Sequence, residues 1–475
     1  MLFPTIQFGI FFPIVFLCSW LLRPHPTRWK LFMILASYVF YGWWDWRFCF
    51  LLAASTIANQ IFVAGICSTR GVVKRAVLTL AVLSNLGVLA YFKYYDFFRT
   101  SIVDGLDKLG VHVSTPLLEI VLPVGISFFT FQALSYVIDA FRGKVLTAPF
   151  LDFAVYLSFF PHLVAGPIVR ASEFLPQLKE KADPRHIDSS RALRLIMGGL
   201  FKKVVVSSFI ASAIVDPVFG APRAHSGLEA LFATYGYAIQ IYADFSGYTD
   251  IAIGCALLLG IRFPPNFNAP YTARSLQDFW RRWHMTLSRF LRDYLYVALG
   301  GNRNGRLATY RNLMLTMLIG GLWHGASWTF VVWGAIHGCG MAFERWLMDR
   351  RERLGLREPA DTFGRRVWQT LLTFHIVCLG WIFFRASGQF SIAFDMLHQL
   401  FTGWGRSSPL VTALVMFTIG GMLLCQFVPE GFMRSLQARF SYLPVVAQGI
   451  ALAIGFFLID ALGPVGVAPF IYFQF

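Results

Sequence analysis

Hydrophobic runs long enough to cross a bilayer recur from one end of the chain to the other, with short basic stretches between them. Residues 1–22 form the first run, bent by Pro4 and Pro13. Residues 31–65 are too long for one span. They carry Gly42-Trp43-Trp44-Asp45-Trp46-Arg47 at their middle, so two segments are expected to meet there at headgroup level. Residues 76–98 are a further span, followed by a polar connection over 101–118 and another apolar segment over 120–141. Residues 150–169 contain Phe159-Phe160-Pro161-His162-Leu163-Val164-Ala165-Gly166-Pro167, whose prolines and glycine predict a broken or re-entrant helix. Apolar runs follow over 195–219, 228–261, 313–347, 368–384, 410–428 and 443–462, with a short interfacial helix over 390–401. Roughly 20 residues per span gives about ten or eleven crossings, fewer if several segments are re-entrant. No repeat and no soluble domain stands out, so residues 1–475 read as one membrane-embedded unit of all-α class.

One stretch interrupts this pattern in the opposite sense. Gly320-Gly321-Leu322-Trp323-His324-Gly325-Ala326-Ser327-Trp328 places a histidine between two apolar half-segments. Glycines around it let backbones approach and let a helix be interrupted. An ionisable group at such depth is costly and tends to line a cavity or pathway. The alternative reading is a histidine satisfied by a carbonyl within a bundle. As a neutral imidazole, His324 can take a proton from a hydroxyl as that hydroxyl attacks an acyl carbon.

Composition agrees with the membrane reading: 56% of the 475 residues are hydrophobic and 14% are charged. The net charge of +16 does not require nucleic acid, because the basic residues cluster between spans as cytoplasmic loops do. Loops 179–194, 262–312 and 345–366 are assigned to the cytoplasm on that basis. The seven cysteines lie in apolar surroundings with no metal-ligand spacing, so neither a disulfide framework nor a metal site is expected. The N-terminal run lacks a basic leader and a small-residue cleavage site, and reads as a retained span.

Residues 262–312 are polar enough not to span. Leu276, Phe279, Trp280, Trp283, Leu287, Phe290, Leu291 and Tyr294 recur at helical spacing, with Arg281, Arg282, Arg289 and Arg292 opposite. Ser275 and Asp278 form a capping box. This predicts one basic amphipathic helix at the membrane surface. His284 falls at the border of its apolar face, as an interfacial histidine or as a second active-site group. Asp244 and Asp250 sit in an apolar run, either as site residues or paired with arginines of the basic helix as a structural lock. The arginines of 274–311 can hold the phosphates of a nucleotide-type donor or contact anionic lipid. Gly300-Gly301-Asn302-Arg303-Asn304-Gly305 reads as a flexible turn. No nucleophile elbow, phosphate loop, dinucleotide fingerprint or zinc-protease motif is present.

Taken together, the chain resembles the membrane-bound O-acyltransferase family. The likeness is carried by Phe160 to Ile168, by Asp244-Phe245-Ser246-Gly247-Tyr248-Thr249-Asp250, by Asn266-Phe267-Asn268-Ala269-Pro270-Tyr271, by Asp278 to Ser288 and by Gly320 to Ala326, in that order. It is nearest to the bacterial branch and, through Arg303-Asn304-Gly305, Thr309 to Leu313 and Trp328-Thr329-Phe330, to the alginate-type members. The resemblance implies a ring of helices around a thinned centre with a funnel. It implies a catalytic role for His324 assisted by His284, with Asp244, Asp250, Asn268, Arg281 and Trp323 as substrate contacts. It implies an acetyl group drawn from a cytoplasmic donor, acetyl-CoA, with no permanently bound cofactor and no metal. A periplasmic acetyltransferase partner would place that group on an exopolysaccharide such as alginate or cellulose, from the bacterial inner membrane. D-alanyl transfer to teichoic acid from a carrier protein, and a channel or flippase without chemistry, stay open as alternatives. The aromatic tail Phe470-Ile471-Tyr472-Phe473-Gln474-Phe475 is expected to pack near the outer funnel or dock the partner.

Overall fold

A computed structural model describes residues 1–113, 120–180, 183–357 and 359–463. The tail at 470–475 lies outside the described residues. Among those described every regular element is helical. Among the described residues five helices are long and apolar enough to cross a membrane: Arg47–Ser68, Gly71–Lys108, Ser189–Gly220, Phe363–Arg385 and Val445–Leu462. Ile6–Leu22, Ile126–Phe141 and Ala413–Cys425 are shorter apolar helices. The expected ten or eleven crossings include re-entrant segments and apolar runs cut into shorter helices, which length and composition alone do not select. The polypeptide divides into two compact units, residues 1–192 with 252–264 and residues 193–251 with 265–475.

In the first unit the helices include α1 (Ile6–Leu22), α2 (Pro26–Gly42), α3 (Arg47–Ser68), α4 (Gly71–Lys108), α5 (Ile126–Phe141), α6 (Phe150–Ser158) and α7 (Phe160–Leu163). The tryptophan-rich junction separates α2 from α3 as expected. The polar connection expected from residue 101 begins later, because α4 continues through a π-helical turn at Ala90–Tyr94. Asn59 and Asn85 exchange side-chain amide bonds between α3 and α4 at 3.1 and 2.8 Å, so each polar group is satisfied without water. The expected helix break falls at Phe159, whose ψ of 107° leaves the helical region. Its consequences are handled locally. The Phe160 N–H donates to Ser37 Oγ at 3.2 Å, and His162 Nε2 lies 2.8 Å from the Tyr156 carbonyl. Fully buried and stacked on Phe263, His162 is a helix-break staple.

In the second unit, α8 (Ser189–Gly220, from residue 193) crosses α9 (Gly227–Leu258, to residue 251) at a pair of glycines. A Cβ on Gly199 would lie 2.5 Å from the Gly247 carbonyl oxygen, and one on Gly247 would lie 2.7 Å from that of Gly199. This backbone contact brings Lys202 and Lys203, on a π-helical segment of α8, against the carboxylates of α9. Lys203 pairs with Asp244, both side chains almost wholly buried. Lys202 Nζ lies 2.6 Å from Asp250 and donates to Ser246 Oγ at 2.9 Å. The lock foreseen for these aspartates exists, but lysines of α8 form it in place of arginines of the basic helix.

The remaining helices of this unit are α10 (Leu276–Arg282), α11 (Met285–Phe290), α12 (Arg306–His324), α13 (Trp328–Arg353), α14 (Phe363–Arg385), α15 (Phe390–Thr402), α16 (Ala413–Cys425), α17 (Glu430–Ser441) and α18 (Val445–Leu462). Ser275 Oγ accepts from the Asp278 N–H at 3.0 Å, one half of the expected capping box, while the Asp278 carboxylate accepts from the Arg274 N–H at 3.3 Å in place of the Ser275 N–H. The Glu344 carboxylate of α13 adds acceptors for the N–H groups of Leu276 at 2.6 Å and Gln277 at 3.2 Å. The glycine turn after residue 299 is pinned, not flexible: Asn312 Nδ2 donates to the carbonyls of Leu299 and Gly301 at 3.1 and 2.9 Å.

α12 and α13 form a hairpin packed through small residues. α12 runs unbroken through Gly320 and Gly321 and stops at His324, where Gly325 turns to extended backbone (φ −159°). A Cβ on Gly321 would collide with the Phe330 carbonyl, and one on Gly334 with the Met317 carbonyl. Gly334→Ala is therefore expected to destabilise the protein by about 1–3 kcal/mol through overpacking. Thermal melting in detergent checks this, with Gly449→Ala, where nothing lies within 4 Å, expected to leave the midpoint unchanged or slightly raised.

Candidate active site

His324 is the last residue of α12 and is 2% exposed. Aromatic rings from three helices enclose it. Trp323 lies 5.1 Å away between centroids, Trp333 of α13 lies 4.9 Å away edge-on, and Phe384 of α14 lies 5.3 Å away edge-on. Gly325 permits this packing, because a Cβ there would overlap the Phe330 ring. Such a lining is apolar, with the imidazole a polar group set within it.

His284 departs from the interfacial position expected of it. The amphipathic pattern predicts one helix, but the chain breaks between α10 and α11, with His284 in the left-handed region at φ 40° and ψ 54°. The side chain is turned inward and is fully buried. A non-glycine residue held in this conformation costs roughly 1–3 kcal/mol and persists only where its surroundings enforce it. Here segment 266–268 does so: Asn268 N–H donates to the Arg282 carbonyl, and Met285 N–H donates to that of Asn266, both at 2.9 Å. The His284 ring stands perpendicular to Phe245 at 4.7 Å and lies 6.0 Å from Trp323. Trp323 thus touches both histidines, which sequence had placed 40 residues apart in different settings.

The other expected substrate contacts are placed less centrally. Asp244 and Asp250 are engaged by Lys203 and Lys202. Asn268 and Arg281 are exposed side chains, and it is Asn266 that is buried against His284. Arg274, Arg282 and Arg292 are paired with Asp361, Asp278 and Asp293, at 3.2, 2.9 and 2.7 Å. Arg303 and Arg306 are exposed beside the pinned turn.

A third histidine was not anticipated. His337 of α13 is fully buried, with its ring 4.9 Å from Trp333 on the preceding turn. Trp280 Nε1–H donates to its Nδ1 at 3.3 Å. Gly380 of α14 makes room for it, since a Cβ there would lie 3.0 Å from His337 Nε2. The available signal was a second His-Gly pair, His337-Gly338, one apolar half-segment after the first. Among the described residues no group of three or more His, Cys, Asp or Glu side chains is placed to hold a metal ion.

The membrane-bound O-acyltransferase family model matches residues 78–389, more than half of the chain. A probable alginate O-acetylase AlgI of Azotobacter vinelandii is 36% identical, with both chains covered in full. A peptidoglycan O-acetyltransferase of Helicobacter pylori is 38% identical over 79% of this chain and 75% of its own. A teichoic acid D-alanyltransferase of Streptococcus thermophilus is 28% identical over 55% of this chain and 68% of its own. The histidines enclosed by tryptophan, the apolar helices around them and these matches agree: the chain is a multi-pass membrane protein with O-acyltransferase activity and belongs to the membrane-bound O-acyltransferase family.

Proposed function

We propose that the protein takes an acetyl group from acetyl-CoA on the cytoplasmic face of the inner membrane and passes it outward for O-acetylation of an exopolysaccharide of the alginate type. A periplasmic acetyltransferase would complete delivery to the polymer. The observation that carries this reading is His324, an imidazole enclosed by Trp323, Trp333 and Phe384. The names of relatives matched over their full length, probable alginate O-acetylases, suggest the polymer class.

The chemistry follows from the imidazole. A hydroxyl oxygen attacks the thioester carbonyl carbon while its proton passes to His324. Collapse of the tetrahedral adduct breaks the carbon–sulfur bond, and His324 returns the proton to the departing thiolate. The ester and free CoA are the products. Excluding water matters because hydroxide or water at the same carbon would waste the donor by hydrolysis.

Membrane vesicles of known orientation test donor and direction together. With labelled acetyl-CoA, ester-linked label is expected in polymer only when the donor is on the cytoplasmic face. Equal labelling from either face would contradict directional transfer, and none from either would exclude acetyl-CoA as donor.

A further inference from the structure

The two ring nitrogens of His284 have different surroundings. Nδ1 lies 3.2 Å from Asn266 Oδ1. The same oxygen accepts from the Thr286 backbone N–H at 3.1 Å and from the Thr286 hydroxyl at 2.8 Å. A backbone N–H can only donate, so the Asn266 atom it meets is the amide oxygen and not the nitrogen. That oxygen carries no hydrogen, so the proton between it and His284 belongs to Nδ1. In the neutral ring Nε2 is then a bare lone pair. It is buried and has no hydrogen-bond partner among the described residues.

We propose that Asn266 is a positioning residue for acyl transfer, locking His284 in the Nδ1–H tautomer so that Nε2 accepts a hydrogen bond from a substrate hydroxyl. This rests on the acyl-transfer reading of the site. A ring held this way meets a hydrogen-bearing group; a carbonyl or phosphate oxygen would find no donor there. The reacting hydroxyl has one proton, which goes to His324. The group facing His284 is therefore a second donor, a hydroxyl of the molecule that receives the acetyl group. His337 shows the opposite setting: a donor, Trp280 Nε1–H, faces its Nδ1 and leaves the proton on Nε2.

The left-handed backbone makes the arrangement rigid, since Asn266 also accepts from Met285 N–H through its own carbonyl. Ring and amide are thus set by one short segment. The choice of Asn266 over Asn268 follows from burial: the first side chain is 1% exposed and the second is on the surface.

The test is nitrogen-15 NMR of histidine-labelled, full-length protein in detergent, with His284→Gln assigning the His284 signals. The expected spectrum has a protonated Nδ1 and an unprotonated Nε2 for His284. Asn266→Ala is expected to give mixed tautomers and a fall in kcat of about 10- to 100-fold, by analogy with loss of the partner that orients a metal-bound imidazole. KM for acetyl-CoA should be unchanged. A proton on Nε2 in the wild-type protein would overturn the proposal, whatever the variant does. An Asn266→Ala protein with unaltered tautomer and rate would overturn it too. The spectrum needs no turnover, so it separates this proposal from the function beneath it: wild-type transfer by His324→Ala would sink the acyl-transfer reading while leaving the tautomer as measured.

Discussion

Lys203→Met is expected to destabilise the protein by about 3–5 kcal/mol, the usual result of removing one partner from a buried ion pair. Lys203 and Asp244 face each other with side chains 2% and 3% exposed. Methionine matches the lysine stem in length and apolarity, so packing is largely kept and the loss is electrostatic. The cost arises because the Asp244 carboxylate stays in a low-dielectric interior after its cation is gone. The double variant Lys203→Met/Asp244→Asn removes both charges and is expected to recover most of the lost stability. Thermal melting of detergent-solubilised protein reads both. Equal melting of Lys203→Met and wild type would show that the pair is not a structural lock. The pair at Lys202 and Asp250 is more exposed, at 18% and 28%, and Lys202→Met should cost less.

The second large effect is on chemistry. His324→Ala is expected to lower acyl transfer by about 10²- to 10⁴-fold, the range for a positioned general base. His324 meets Trp333 and Phe384 edge-on, so alanine also opens a cavity and weakens their packing. His324→Gln fills that space without a comparable base, and it should be as inactive as alanine while melting nearer the wild type. His284→Ala is expected to be impaired less, because His284 orients a hydroxyl and His324 accepts the proton. Since both act on one substrate, the double variant should lose little more than His324→Ala alone.

The value of the hydrophobic pattern differed from segment to segment, for physical reasons. His324 stood out because an ionisable residue between two apolar half-segments is unusual at any depth. The helix breaks at Phe159, just ahead of Pro161, and at Gly325 were legible because proline lacks a donor and glycine a side chain. The break at His284 was not legible. Phe279, Trp280, Trp283, Leu287 and Phe290 keep helical spacing across it, and the left-handed turn depends on segment 266–268, which pairs with it. The partners of Asp244 and Asp250 depend on the Gly199–Gly247 crossing and the π-helical turns of α8, neither of which leaves a local signature. Asn266 and Asn268 look alike within one motif, and only burial tells them apart. His337 reads in sequence as part of an apolar helix, and only the fold shows that it shares Trp333 with His324.

The central claim, that an imidazole enclosed by aromatic rings at the end of α12 performs the transfer, is tested most directly by ester-linked acetate on the polymer. Cells making wild-type or His324→Ala protein, matched for the amount inserted in the membrane, would be compared. Acetate at the level of cells lacking the protein is the predicted result for the variant. Polymer acetylated to near the wild-type level by His324→Ala would contradict the account.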